Sequence, residues 1–305
     1  MYLHILYGGM KTTQENVINI KVLIVGLGHM GMLHKKYIQT LNLDWDWYDP
    51  YVSQPGQLLA PRDFKKRITD LSSLVQYSHI IIAAPTEYHA DYLRKLKSLR
   101  FEGKILVEKP GILSINDLHL LDTDTVSVGM VERFNPGFEV LKNNLNRNKI
   151  LNIDFIRCSA RPISKNNVSS FIDVGIHDLD LFFQLFDTDD VVNFVFFKNS
   201  NTFSLTIQLR QGQIARFIWS NETYHKERMI HVRQSNYNLV CDLTEQIVKK
   251  YSLGTDCKNC VEDLYVEKSS PLLRELEYFI KDNKKIDASK THEFFVKIIE
   301  DMILD

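Results

Sequence analysis

The chain has 305 residues, 44% hydrophobic and 25% charged, with 37 Lys and Arg against 38 Asp and Glu for a formal charge of −1. That mix belongs to a folded chain, long enough for two domains and for a core that needs neither metal nor disulfide staples. Near-zero charge argues against a broad basic surface for nucleic acid, and no apolar run reaches the roughly 18 residues that a membrane span needs.

Residues 1–18 lack the basic and continuously apolar segments of a signal peptide and read as a leader before the first strand. Only four cysteines are present, Cys158, Cys241, Cys257 and Cys260, which favours a reducing, cytoplasmic setting. Asn19–Val25 is a short β-branched run, read as a buried parallel strand. It enters Gly26-Leu27-Gly28-His29-Met30-Gly31 and then a helix to Thr40. Trp45–Tyr48 reads as a second strand, ending at Asp49-Pro50. His79–Ala84 is a third, closed by Pro85-Thr86 and followed by a helix over Tyr88–Leu99. Lys104–Val107 is a strand that stops at Glu108-Lys109-Pro110. Asn116–Leu121 looks helical, and Val126–Met130 is a further strand. Strand–helix alternation over residues 19–133 predicts an α/β domain with a doubly wound parallel sheet.

After Arg133 the pattern changes. Phe138–Leu145 reads as a helix. Strand-like runs follow at Leu151–Ala160, Val191–Lys198, Phe203–Leu209, Ile214–Ser220, Arg228–Arg233 and Asn238–Asp242. Their close spacing and short turns suggest antiparallel pairing. Helices over Leu272–Lys281 and His292–Leu304 close the chain. Residues 134–305 therefore read as an α+β domain on an open, mostly antiparallel sheet, with a cleft between the two domains.

The spacing Gly26-x-Gly28-x-x-Gly31 suits a dinucleotide. The first glycine makes the tight turn, the second lets the backbone approach a pyrophosphate, and the third lets helix and strand pack closely. Asp49 ends the second strand. A carboxylate there accepts hydrogen bonds from a ribose 2′-hydroxyl and repels a 2′-phosphate, which favours NAD over NADP. Lys109 sits at the carboxyl edge of the sheet, where it can donate to a substrate hydroxyl. In Asp173-Val174-Gly175-Ile176-His177-Asp178-Leu179-Asp180, a helix would put Asp173 and His177 on one face. The imidazole can take a proton and the carboxylate can orient it. Taken alone, Glu108-Lys109-Pro110 also reads as a solvated turn, and Asp173 as a helix cap before an ordinary helix histidine. His34 reads as a helix-surface or packing residue.

In this order and at these separations, GLGHMG, EKP and DVGIHDLD resemble the glucose–fructose oxidoreductase / inositol dehydrogenase (Gfo/Idh/MocA) family, over roughly Lys21 to the C-terminus. Ala84-Pro85-Thr86 with His89, and Thr223–Arg228 followed by Asp242, are similar to further parts of it. The resemblance implies a Rossmann domain followed by a domain whose open sheet makes homodimer or homotetramer contacts. It implies that Lys109, Asp173 and His177 line the substrate site. Gly26, Gly28, His29, Met30, Gly31, Asp49, Pro85, Thr86, His89 and Glu108 would lie around the dinucleotide.

Glu132-Arg133-Phe134-Asn135-Pro136 resembles the branch that oxidises UDP-N-acetylglucosamine at its 3-hydroxyl, which implies Arg133, Asn135 and Arg161 near the substrate. For Arg133 the alternative is a salt bridge between domains. The stretch from Arg161 to Asp173 departs from that branch, which leaves the sugar open. The expected activity is oxidation of a ring hydroxyl of a sugar or nucleotide sugar, with hydride passing to NAD. Alternatives are an inositol or simple-sugar dehydrogenase, or a dinucleotide-binding regulatory protein without turnover. Cys257 and Cys260 form a CxxC that reads as half a zinc site, a redox pair, or a loop with two free thiols. No second pair exists, so no metal is expected.

Overall fold

The computed structural model describes residues 20–52, 61–160, 171–254 and 258–304. The strand β1 (Lys21–Val25) is apolar at four successive positions because both its faces are covered. It lies in a five-stranded parallel sheet with β2 (Asp44–Tyr48), β3 (His79–Ile82), β4 (Lys104–Glu108) and β5 (Val126–Gly129), in the order β2-β1-β3-β4-β5. Helix α1 (His29–Thr40) follows the glycine loop. A short helix α2 (Pro61–Phe64) lies by β2, where Trp47 Nε1 donates to the Asp63 carbonyl, and α3 (His89–Ser98) follows β3. Beyond β2 a single parallel bridge joins Trp47 to Arg67, the rudiment of a further edge strand. The strand order reverses between β1 and β3, and open α/β sheets bind ligands outside that switch point.

The second sheet has eight strands. In chain order they are β6 (Ile150–Ala160), β7 (Val191–Asn199), β8 (Thr202–Leu209), β9 (Ile214–Ser220), β10 (Glu222–Gln234), β11 (Asn238–Asp242), β12 (Ile247–Leu253) and β13 (Asn259–Leu264). Their order is β13-β12-β11-β10-β6-β9-β8-β7. Pairing is antiparallel except between β6 and β9, which are parallel. The sheet is thus mostly antiparallel, as expected; between β6 and β9 a helix and two strands intervene, so the chain can return in the same direction. Strands β12 and β13 gave no strand signal in the sequence. Apart from Val248, their positions are exposed or half-buried, without a sustained apolar stripe.

Two-residue periodicity puts Ile153, Phe155 and Arg157 of β6 on the inner face, level with Ala215, Phe217 and Trp219 of β9. Phe155 and Phe217 stack at 4.8 Å. Helix α5 (Ile176–Phe183) covers this face and is buried at seven successive positions. Helix α4 (Pro136–Asn143) begins at Asn135, whose side chain accepts from Gly137 N. The chain then runs through α6 (Pro271–Leu276), a π-helical turn over Glu277–Lys281, and α7 (Ser289–Leu304).

This last stretch returns to the first sheet. Val128 N donates to Ile286 O, Ile286 N donates to Ser127 Oγ, and Gly111 N donates to His292 Nε2 at 2.9 Å. Burial pushes the His292 pKa down to about 4, so the ring is a neutral acceptor for that amide. Among the described residues no helix is long and apolar enough to cross a membrane.

Candidate active site

Backbone geometry builds the first half of the site. Gly26 has φ +92°, and a Cβ there would lie 2.7 Å from Ala84 N. Only glycine lets the loops after β1 and β3 approach this closely. At Gly31 a Cβ would overlap the Gly26 carbonyl oxygen. At Gly28, by contrast, an added Cβ meets nothing within 4 Å. The loop is thus closed against the protein at its two ends and open in the middle.

Helix α1 starts at this opening with no side-chain cap and no acidic residue in its first turn. Its first amides and the positive end of its dipole face the gap, as an anion cradle requires. His29 is exposed and Met30 half-buried in that turn. Asp49 lies against the loop: Oδ2 accepts from Leu27 N and Oδ1 from Tyr51 N, both at 2.9 Å. Pro85 and Thr86 start the 3-10 turn Thr86–Tyr88 that follows β3. Loop, helix end and carboxylate together fit a dinucleotide.

The second part hangs on Glu108-Lys109-Pro110, whose Lys109–Pro110 peptide is cis. Lys109 Nζ donates to the Asp173 carbonyl oxygen at 2.5 Å and to Asp173 Oδ1 at 3.0 Å. Glu108 is buried beneath it. Its Oε2 accepts from Lys109 N, and His34 Nε2 stands 2.6 Å from its Oε1. Burial pushes the Glu108 carboxyl up, but His34 and Lys109 together outweigh it and hold it below the usual range. His34 is therefore a fully buried partner of Glu108 and not a surface residue. His89 joins two loops: its ring nitrogens lie 2.8 Å from Ala84 O and 3.0 Å from Pro110 O. Burial lowers its pKa, and the neutral ring donates to one carbonyl at a time.

Phe171–Gly175 is a π-helical turn, and α5 begins only at Ile176. The expectation of one α-helical face for Asp173 and His177 is corrected accordingly. Asp173 belongs to the π turn and engages Lys109, while His177 is buried on the first turn of α5.

Asp178, next in sequence, accepts from Arg157 at 2.7 and 3.1 Å and from Trp219 Nε1 at 2.8 Å. Arg157 Nη1 also donates to Glu132 Oε1 at 2.9 Å, and Arg228 Nη1 reaches the same oxygen at 3.1 Å. Burial pushes the Glu132 carboxyl up, but the two guanidiniums outweigh it and hold it low. The network fastens the helix that carries His177 to β6, β9 and β10.

Arg133 is engaged within the fold. It holds Asp180 through Nε at 2.6 Å and Nη2 at 2.5 Å, and Nη2 also donates to Asp287 O at 2.6 Å. Thr291 Oγ1 donates to the same carboxylate. Asn135 caps α4 and donates to Leu243 O and Glu132 Oε2. Arg161 lies outside the described residues. So does Cys257, while Cys260 is exposed on β13. Among the described residues no group of three His, Cys, Asp or Glu side chains could hold a metal.

Glu275 on α6 is the unusual carboxyl. It is fully buried, and neither oxygen has a hydrogen-bond partner among the described residues. Burial first, then the charge of Glu108, hold its pKa well above the usual range. Arg157 carries a sequence signal of its own, a charge on the inner stripe of an alternating strand. Glu275 and His34 carry none.

No protein-family model and no curated protein matches the sequence. Solved structures share the fold. A UDP-N-acetylglucosamine 3-dehydrogenase from Acidithiobacillus ferrooxidans superposes with a TM-score of 0.78 at 15% identity, covering 91% of this chain and 96% of that one. A dehydrogenase from Clostridium difficile gives 0.73 at 17% identity, with 93% and 99% covered. An oxidoreductase described as putative, from Bacillus subtilis, also gives 0.73, at 16% identity with 92% and 94% covered.

Proposed function

We propose that this protein is an NAD-dependent oxidoreductase of the glucose–fructose oxidoreductase / inositol dehydrogenase type. Its substrate would be a sugar or nucleotide sugar, oxidised at a ring hydroxyl; the best candidate is the 3-hydroxyl of UDP-N-acetylglucosamine. One observation carries the reading. Lys109, just past β4 at the carboxyl edge of the first sheet, is held on Asp173 of the second half, four residues before His177. The fold shared with sugar-nucleotide and other dehydrogenases supports it.

Gly26, Gly28 and Gly31 with the start of α1 would hold the pyrophosphate, and Asp49 the adenosine ribose. Bound there, NAD supplies the hydride acceptor. The chain's own residues do the rest. His177 takes the hydroxyl proton as general base. Lys109 donates to the same oxygen and stabilises the charge that develops on it. Asp173 positions Lys109 through its carbonyl and its carboxylate. The Glu108–His34 pair supports the loop from below.

The outer face of the second sheet exposes Val195, Phe197, Ile214 and Ile218, a surface suited to homo-oligomer contacts.

The test is NADH absorbance with NAD and a panel of UDP-sugars, simple sugars and inositols. The proposal expects NADH from UDP-N-acetylglucosamine or a near relative. NADH from inositol or a free sugar alone would move the substrate to that class. No NADH from any member, in protein that binds NAD, would overturn the enzymatic reading.

A further inference from the structure

Tyrosines gather beyond the carboxyl ends of β2 and β3. Tyr48 ends β2, and Tyr51 follows Asp49 by two residues. Tyr88 ends the turn after β3, and Tyr92 lies on the first part of α3. Tyr92 is within electrostatic reach of Tyr48, Asp49, Tyr51 and Tyr88, so these rings and the Asp49 carboxylate form one cluster. Its members differ in burial. Tyr48 and Tyr92 pack against the core. Tyr51 and Tyr88 do not: they are 78% and 41% exposed.

The two exposed phenols nevertheless interact with each other. Strands β2 and β3 are not neighbours in the sheet, because β1 lies between them, which sets their axes about 9–10 Å apart. A contact between the segments that follow them therefore spans the end of β1, where the glycine loop begins. The charges close by are Asp49 and Glu87, both negative, so a phosphate is not favoured at this point. A planar, uncharged group is. Asp49 stands where it would accept from the adenosine ribose, and the base is one glycosidic bond from that sugar. A base stacks on an aromatic face without needing a complementary charge.

We propose that Tyr51 and Tyr88 clamp the adenine of the dinucleotide, their rings stacking on the base and their mutual contact giving way to it. The inference rests on the NAD reading above. It assigns the base to two side chains outside the glycine motif and its acidic partner.

Titration calorimetry on the full chain tests it, with NADH and with ADP-ribose, which carries the adenine and no nicotinamide. The proteins are wild type, Tyr51→Ala, Tyr88→Ala, Tyr51→Phe and Tyr88→Phe. Loss of one stacked ring lowers the affinity for both probes roughly tenfold, whereas phenylalanine, which keeps the ring, stays within about twofold of wild type. Saturation-transfer NMR on ADP-ribose reads the contact itself. Saturation of aromatic protein protons should reach adenine H2 and H8, and in each alanine variant it should weaken there more than at the ribose protons. Unchanged affinity in either alanine variant overturns the two-ring clamp. So does an equal loss in the alanine and phenylalanine variants, which would make the contact polar and not stacked. The two readings fail separately. Wild-type protein that binds NADH no better than the alanine variants removes the clamp and keeps the cofactor. Wild-type protein that binds neither probe removes the cofactor reading, and the clamp with it.

Discussion

At the glycine loop the shape of the site is written in the main chain, whereas around Phe171–Asp180 it is held by side chains distant in sequence. Gly26 and Gly31 are confined by backbone atoms within contact distance. The Asp178 helix is instead fastened by Arg157, Trp219 and, through Glu132, by Arg228. The first arrangement tolerates almost no added atom and needs no charge. The second buries several charges, whose desolvation is offset only while every partner is present. The two halves should therefore fail in different ways when altered.

The largest effects are expected at the groups proposed to meet the substrate. Lys109→Ala and His177→Ala should each lower turnover by roughly 10²–10⁴-fold. Binding of NADH, followed by fluorescence, should persist in both. Wild-type turnover in the two variants would remove the second half of the site from the chemistry.

Next comes the ionic fastening. Arg157→Ala leaves Asp178 and Glu132 buried with fewer partners and should cost about 3–5 kcal/mol by denaturant titration. A loss below about 1 kcal/mol would mean that the network does not hold α5.

The main-chain half is sharpened by a pair of alanines. Gly31→Ala forces an overlap with the Gly26 carbonyl and should destabilise by about 1–3 kcal/mol. Gly28→Ala meets no protein atom and should change stability by less than about 0.5 kcal/mol. It should nevertheless weaken NAD binding, because the methyl enters the cradle. Equal effects of the two on stability would contradict the division between a closed and an open glycine.

The smallest effect concerns Glu275, whose folded pKa is raised from the ordinary 4.5 by burial. Below 4.5 the carboxyl is protonated in the folded and the unfolded chain alike. As pH rises above that, the unfolded chain ionises and the folded chain resists, so stability falls until the raised pKa is passed. Glu275→Gln removes this loss. Its melting temperature should gain on wild type as pH rises, by roughly 2–4 °C for each kcal/mol. A difference that stays constant with pH would mean that the acid is not held protonated.

The same contrast explains what could be read from the amino acids alone. The first sheet was legible because its strands are short β-branched runs and its loops carry glycine and proline at fixed spacings. Gly26, Gly28, Gly31 and Asp49 depend on neighbours in sequence or on one adjacent strand. Lys109 and Asp173 were legible as candidates, but their contact spans 64 residues and no local pattern announces it. The π turn at Phe171–Gly175 was hidden for the same reason, since its sequence reads as an ordinary helix start. Arg133 and Asn135 were drawn toward the substrate by resemblance. Their partners, Asp180 and Leu243, lie 47 and 108 residues away. Strands β12 and β13 stayed unread because an edge of the sheet with few buried positions lacks the alternation that marks a strand.

In the proposed reaction, hydride leaves a sugar ring carbon held between Lys109 and His177. UDP-N-acetylglucosamine carrying deuterium at C3, incubated with NAD and the purified protein, tests it most directly by mass spectrometry of the reduced cofactor. Deuterium is expected in the NADH, and the amount of labelled NADH formed should fall roughly 10²–10⁴-fold when Lys109 is replaced by alanine. Reduced cofactor without the label would contradict the assigned carbon. A fully oxidised pool, from protein that binds both molecules, would contradict the reaction itself.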